Sequence, residues 1–337
     1  MKSTSLPDYI QALLENNTFF PETGDVELIQ THISYILLVG ERVYKFKKPV
    51  NFGFLNFTQL QQRKHFCEEE VRLNRRLCPE IYLGVVTVTS EGDRYRLDGR
   101  GEPVEYGVKM VRLPEERMMC RVIAANDLHE NELRQIVHIL VPFYEQAAGG
   151  RGVLYYGRPE AVRKTLFDSF RETQGYVGSP ALSRARFTVI RNYVTSFFNE
   201  VQLFNERMTA GRIRECHGDL HSGNICLTSS VSIFDCLEFN KSLRCTDIAA
   251  DIAFLAMDLD FNELYGMSDY FVNYFIECSG DKGLTGMLNF YKCYRAYVRG
   301  KINLLTAVGP GIDATSADAA LIAADRYFHL AEKYGMA

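Results

Sequence analysis

Cys216-His217-Gly218-Asp219-Leu220-His221-Ser222-Gly223-Asn224-Ile225-Cys226-Leu227, followed by Ile233-Phe234-Asp235, is the stretch on which the reading of this chain turns. Two short apolar runs, 225–227 and 231–234, read as strands. Around them a His, an Asp, an Asn and a second Asp fall at fixed intervals. A bland reading is a polar turn leading into a strand. Four chemistry-bearing side chains at these spacings, flanked by strands, make an accidental match improbable.

Outward from this stretch the chain divides in two. The first third reads as short strands and the rest mostly as helices. A helix is expected from about Pro7 to Asn16, with Pro in the first turn. Strands are expected at 26–30, 35–39 and 42–47, then at 81–89, 94–97 and 105–111. Gly40-Glu41 suits a two-residue type II′ hairpin turn, because Gly accepts a positive φ. That turn fixes the pairing: Val43 opposite Leu38, Lys45 opposite Ile36, Lys47 opposite Ser34, all on one face. A helix is expected over 58–78, opened by a Thr58–Gln61 capping box and closed before Pro79. Further helical patterns cover 132–148, 159–173, 185–208, 247–259, 262–278, 287–305 and 317–334. The fold class is therefore α+β, bilobal, with a boundary expected between 1–112 and 113–337.

Composition bounds the function. The chain has 337 residues, 47% of them hydrophobic, with a net charge of -4. That is globular composition, and it demands neither a nucleic-acid surface nor an anionic membrane. Nine scattered cysteines without a C-x-x-C pair argue against a zinc knuckle or disulfide scaffold and for a reduced, cytoplasmic setting. The N-terminus shows no signal core, and no apolar run approaches the roughly 20 residues of a membrane helix.

Two charges sit inside apolar patterns. On a helical wheel of about 100° per residue, Glu70 falls between Leu60, Cys67 and Val71 on one side and Phe66, Leu73 and Leu77 on the other. Lys45 lies on the hairpin face beside Ile36, Leu38 and Val43. Orphaning a buried charge costs about 3–5 kcal/mol, so the two are expected to pair. The alternative is a merely structural Glu70–Arg63 pair. Lys47 shares the parity of Lys45, and pattern alone does not separate them.

The stretch 216–227 with Asp235 resembles the kinase catalytic loop, H-x-D-x-x-x-x-N, followed by a metal-binding Asp. The variant H-G-D-L-H-x-G-N is closer to aminoglycoside phosphotransferases and choline kinases than to protein kinases. Phosphoryl transfer needs a carboxylate for the acceptor hydroxyl and oxygen ligands for magnesium. By this resemblance Asp219 is the base, Asn224 and Asp235 are the metal ligands, and His217 braces the loop. The cofactors implied are ATP and magnesium, with a small-molecule hydroxyl acceptor as partner. Arg42-Val43-Tyr44-Lys45 resembles the V-A-I-K strand, which selects Lys45 as the phosphate lysine and Glu70 as its anchor. Asp247-Ile248-Ala249-Ala250-Asp251-Ile252-Ala253 resembles the D-x-x-x-D-[LI]-A segment, whose second acid supports the catalytic loop.

Thr31-His32-Ile33-Ser34, Asn51-Phe52-Gly53-Phe54-Leu55 and 294–301 look like an uncharacterised bacterial group of aminoglycoside phosphotransferase-like proteins. Its members are often fused to a C-terminal P-loop domain. This sequence has no G-x-x-x-x-G-K-[ST], so the kinase-like part alone is expected in it.

The sequence departs from the pattern in its phosphate loop. No G-x-G-x-x-G is present, so Thr31, His32, Ser34 and nearby amides are expected to serve the phosphates. By fold analogy Met110 to Leu113, including Arg112, forms the hinge that reads adenine, with ATP between the lobes. Eleven residues separate Asp235 from Asp247, which leaves little room for a peptide-docking segment and favours a small acceptor. Glu238 faces either the acceptor or the metal, or is a solvated loop acid. Arg295 and Arg299, at i and i+4, either bind an anionic acceptor or pair with acids such as Asp247, Asp258 or Asp260. His221 beside Asp219 admits a dinuclear metallophosphoesterase reading, which the dispersed histidines oppose. A nucleotide-sensing pseudokinase and a protein- or self-modifying kinase are the remaining alternatives.

Overall fold

The computed structural model describes residues 6–15, 25–53, 55–92, 94–309 and 312–336. Asn16, the expected end of the first helix, and Phe54 lie outside the described residues, as do residues 1–5 of the N-terminus.

Contacts divide the chain into two compact units. One comprises Met1–Met118 and Ser232–Asn240, the other Met119–Val231 and Lys241–Ala337. The first thus runs past the 112/113 boundary and takes in the segment that carries Asp235.

The first unit holds α1 (Asp8–Glu15), β1 (Val26–Gln30), β2 (Ser34–Val39), β3 (Arg42–Lys47), α2 (Leu60–Asn74), β4 (Tyr82–Glu91), β5 (Arg94–Leu97) and β6 (Glu102–Val111). The strands form one antiparallel sheet in the order β1-β2-β3-β6-β4-β5. The hairpin register pairs Leu38 with Val43, Ile36 with Lys45 and Ser34 with Lys47. Gly40 turns the chain at φ 53°. Period-two alternation then sorts the residues. Leu37, Val39, Tyr44 and Phe46 pack with Ile10 and Leu13 of α1. On the other face Val108 of β6, paired with Lys45, packs with Cys67 and Val71 of α2.

The expected Thr58–Gln61 capping box does not form. Asn56 Oδ1 accepts from both the Thr58 N–H (3.0 Å) and its hydroxyl (2.7 Å). This local turn competes with the cap, and the helix starts at Leu60 with Gln59 as its N-cap.

The second unit is mainly helical: α3 (Met119–Ala124), α4 (Glu130–Gln146), α5 (Arg151–Leu154), α6 (Pro159–Thr173), α7 (Arg184–Phe197), α8 (Val201–Thr209), α9 (Lys241–Arg244), α10 (Ile248–Phe261), α11 (Tyr265–Ser279), α12 (Leu284–Ala307) and α13 (Ala314–Met336). The single helix expected at 185–208 is two, α7 and α8. The break seats Phe197 on Phe290 (ring centroids 4.2 Å) and Phe198 on Phe204 (5.6 Å), both stacked. Buried ring contact here outweighs helical continuity. Short strands β7 (Ile213–Glu215) and β10 (Cys245–Asp247) pair antiparallel and flank the 216–227 stretch in sequence. Strands β8 (Ile225–Leu227) and β9 (Val231–Ile233) stand where the apolar runs predict them. No described helix is long and apolar enough to cross a membrane.

Candidate active site

In the first unit a cleft of about 200 Å³ is lined by Ile36, Val43, Ile81, Tyr82, Met110, Val111, Leu113 and Phe234, with Lys45 and Asp235 as its charged groups. Sheet alternation produces this wall, since Ile36, Val43 and Lys45 share one face. Lys45 Nζ lies 2.6 Å from Asp235 Oδ1 and 2.9 Å from Glu70 Oε1. Burial alone would lower the Lys45 pKa; the Asp235 and Glu70 carboxylates override it and raise the pKa well above the ordinary value.

Lys47 belongs to the same cluster. Its Nζ is 2.7 Å from Glu70 Oε2 and also donates to Glu238. Glu70 therefore holds both lysines. Burial opposes its ionisation, but the two cations pull its pKa down from 4.5 to about 2. Arg63, the rival partner for Glu70, instead takes Glu105 through Nε at 2.8 and 2.9 Å. Glu238 is buried, not a solvated loop acid. The signal for it was present: a second lysine of the same parity required a second acid.

Asp235 is set by its neighbours. Its N–H donates to the Tyr82 hydroxyl (3.1 Å), and the next residue, Cys236, donates to Asn74 Oδ1 (2.8 Å). Asp235 adopts a left-handed φ of 62°, a conformation that costs a non-glycine residue energy and needs such support. Its side chain is 40% exposed, which leaves room for a ligand.

The expected phosphate loop is bonded to itself. Thr31 Oγ1 accepts from the Ile33 (3.3 Å) and Ser34 (2.9 Å) amides, and Thr31 N–H donates to Ser34 O (2.9 Å). Ser34 is buried and His32 exposed. Thr31, His32 and Ser34 are not among the described residues lining the cleft. Of the expected hinge, Met110 lines it. Arg112 does not: its N–H donates to Glu41 O (2.8 Å) and its side chain lies 3.8 Å from Glu27.

In the second unit the loop that follows β7 carries Asp219. Asp251, near the start of α10, accepts from the His217 (2.7 Å) and Gly218 (3.0 Å) amides and from the Tyr144 hydroxyl (3.2 Å). Arg295 donates to Gly218 O (3.0 Å) and Ala250 O (3.1 Å). His217 is buried, and its Nδ1 accepts the Asp219 N–H (3.2 Å). Asp258 accepts the Ser222 N–H (2.8 Å). The loop is thus fixed from 217 to 222.

Asp219 remains 35% exposed within this frame. Asn224 Nδ2 donates to Asp219 O (3.0 Å) and Oδ2 (3.1 Å). Both partners only accept, so the amide nitrogen must face them and Asn224 Oδ1 is turned elsewhere. His221 Nδ1 accepts the Gly223 N–H (3.1 Å), which places its proton on Nε2, 3.5 Å from Asp219 Oδ2. Burial would raise the Asp219 pKa. His221, then Arg299 and His217, outweigh it and hold the carboxyl below the usual range.

No group of three or more His, Cys, Asp or Glu among the described residues is arranged to hold a metal by itself. The oxygen donors suit a cation carried largely by phosphates, for magnesium takes one or two carboxylates and keeps other ligands from substrate and water. In the first unit Asp235 offers a half-exposed carboxylate; in the second, the Nδ2 bonds of Asn224 leave its Oδ1 to accept.

No protein-family model matches the chain. Uncharacterised proteins of Mycobacterium tuberculosis and Mycobacterium bovis are each 31% identical to it over 279 residues, 82% of this chain and 54% of theirs. The chain spans about half the length of these curated relatives. Among solved structures, a choline/ethanolamine kinase family protein from Mesorhizobium loti aligns with TM-score 0.52 at 11% identity, covering 97% of this chain and 99% of that one. Amicoumacin kinase, in complex with AMP-PNP, Ca2+ and amicoumacin, aligns with TM-score 0.51 at 12% identity, covering 96% and 93%. The fold is the α+β, kinase-like fold of these two solved structures, as the sequence predicts.

Proposed function

We propose that this chain is a magnesium-dependent phosphotransferase that moves the γ-phosphoryl group of ATP to a hydroxyl of a small molecule. The observation that carries the reading is Lys45, held between Glu70 and Asp235 beside an apolar cleft. An apolar slot with a cation and an exposed carboxylate suits a nucleotide base and its metal-bound phosphates.

Each side chain then has a role. Lys45 neutralises phosphate charge, and Glu70 with Lys47 keeps its ammonium in place. Asp235 and Asn224 Oδ1 are the protein's oxygen ligands for magnesium, which draws charge from the phosphates when bound. Asp219 orients the acceptor hydroxyl and receives its proton as the new O–P bond forms and ADP departs. Its depressed pKa keeps it ionised at neutral pH, so its main work is orientation. His217, Asp251 and Arg295 act through the loop backbone.

The experiment is ADP release by the purified chain across a panel of hydroxylated metabolites. Asp219→Ala should lower the rate about 10²–10⁴-fold and leave ATP binding intact. Near-full turnover in that variant defeats the assignment of Asp219. One observation favours a second reading, a nucleotide-sensing pseudokinase: the Thr31–Ser34 turn spends its own amides internally. Magnesium-dependent ATP binding with no turnover of any acceptor, the chain itself included, supports that reading.

A further inference from the structure

The basic side chains of α12 divide by what they meet. Lys292 Nζ pairs with Asp260 (2.8 Å) and reaches Ser268 Oγ (3.0 Å). Arg295 is spent on Gly218 O, Ala250 O and, at 3.6 Å, the Asp251 carboxylate. Lys301 Nζ pairs with Glu172 (2.6 Å).

Arg299 is different. Among the described residues no carboxylate lies within ion-pairing distance of it, and its buried Nε has no hydrogen-bond partner. Its guanidinium lies 5.6 Å from the centre of the Tyr327 ring, and that ring stacks on Phe261 at 3.7 Å. About one turn before Phe261, Asp258 holds the Ser222 amide. One turn before Arg299, Arg295 holds Gly218 O. Arg299 is also near enough to Asp219 and Asp258 for both carboxylates to act on it. Burial alone would lower the Arg299 pKa; the Tyr327 hydroxyl and the Asp219 and Asp258 carboxylates, the latter two beyond ion-pairing distance, raise it instead. Its planar fork fits a carboxylate or phosphate through two parallel hydrogen bonds.

We propose that Arg299 recognises an anionic group on the acceptor, so that the substrate is a hydroxylated carboxylate or phosphate ester rather than a neutral or cationic alcohol. This rests on the phosphotransferase reading above and names its substrate class. An anionic acceptor has to approach the ionised Asp219. A cation beside that carboxylate removes the repulsion, and the same cation repels an amine. Of the two arginines that share this helix face, only Arg299 has a fork free of carboxylate.

The test uses inorganic phosphate as the anion, with the nucleotide site saturated by AMP-PNP and magnesium and ionic strength held constant with chloride. Thermal denaturation of the whole chain is the readout. Phosphate should raise the Tm of the wild type, raise that of Arg299→Lys by less, and leave Arg299→Gln unmoved. AMP-PNP affinity of both variants should match the wild type, which shows that they are folded. Titration should give a phosphate affinity roughly tenfold to a hundredfold weaker in Arg299→Gln, the range expected for a charge-assisted hydrogen bond. An equal phosphate response in wild type and Arg299→Gln, or none in the wild type, overturns the proposal and leaves the phosphotransferase reading standing. A wild type that does not bind AMP-PNP overturns that reading and the acceptor class with it.

Discussion

Lys47 Nζ lies 2.7 Å from Glu70 Oε2, on the same carboxylate whose other oxygen holds Lys45. One buried acid thus anchors two cations that alternate along a single strand. The two lysines differ in their remaining partners. Lys45 turns to Asp235 at the cleft, whereas Lys47, 1% exposed, turns to Glu238 inside.

That difference separates stability from binding. Lys47→Met takes a buried cation away from Glu238 and from one oxygen of Glu70 and should cost about 3–5 kcal/mol. Lys45→Met leaves Asp235 exposed to water and should cost less, but should weaken nucleotide binding. Urea unfolding and AMP-PNP titration of both variants check this. Equal destabilisation, or nucleotide loss in Lys47→Met alone, contradicts the division of labour.

Glu70 sets a pH window. Its folded pKa is depressed to about 2 from an ordinary 4.5. A depressed acid contributes stability that is complete above the unfolded value and lost as pH falls through the folded one. Unfolding free energy should therefore fall between pH 4.5 and 2, by roughly 3 kcal/mol from this group. Glu70→Gln should flatten that part of the curve. A slope unchanged in the variant would show that other acids carry it.

Asp251 accepts two successive loop amides that have no place in a strand or helix. Asp251→Ala removes the carboxylate that accepts both N–H groups and the ion-pair partner 3.6 Å from Arg295. A loss of about 3–5 kcal/mol is expected. Asp251→Asn keeps one acceptor oxygen and should lose less. Hydrogen exchange at His217 and Gly218 should quicken in both, while exchange in β2 and β3 stays slow. Unaltered protection at 217 and 218 would refute the bracing role.

Tyr82 supplies the hydroxyl that accepts the Asp235 N–H. Burial holds its phenol well above the usual pKa, so it stays protonated. Tyr82→Phe removes that acceptor from a strained backbone position. A stability loss of about 1–3 kcal/mol and a raised magnesium requirement for AMP-PNP binding are expected. Wild-type magnesium dependence in this variant would mean that Asp235 keeps its place without Tyr82.

Much of this was readable from local pattern. Strand parity placed Lys45 and Lys47 on one face because alternation is a property of the backbone itself. The type II′ turn at Gly40 set the register for the same reason. The 216–227 stretch identified a kinase-like fold through the spacing of its His, Asp and Asn. Helix ends were less legible: Asn56 captured Thr58, and the rings of Phe197 and Phe198 divided one expected helix in two. Both outcomes depend on competing contacts that no periodicity records.

The sequence by itself determined which residues share a face, which loop bears Asp219 and Asn224, and that a buried Glu70 needs a cation. Only the tertiary structure decided that Glu70 takes two lysines, that Arg63 goes to Glu105, and that Arg295 is spent on the loop while Arg299 is not. The reason is physical. Backbone geometry is local and repeats along the chain. The partner of a buried charge is whichever opposite charge packing brings within about 3 Å, and that choice exists only once distant segments are folded against one another.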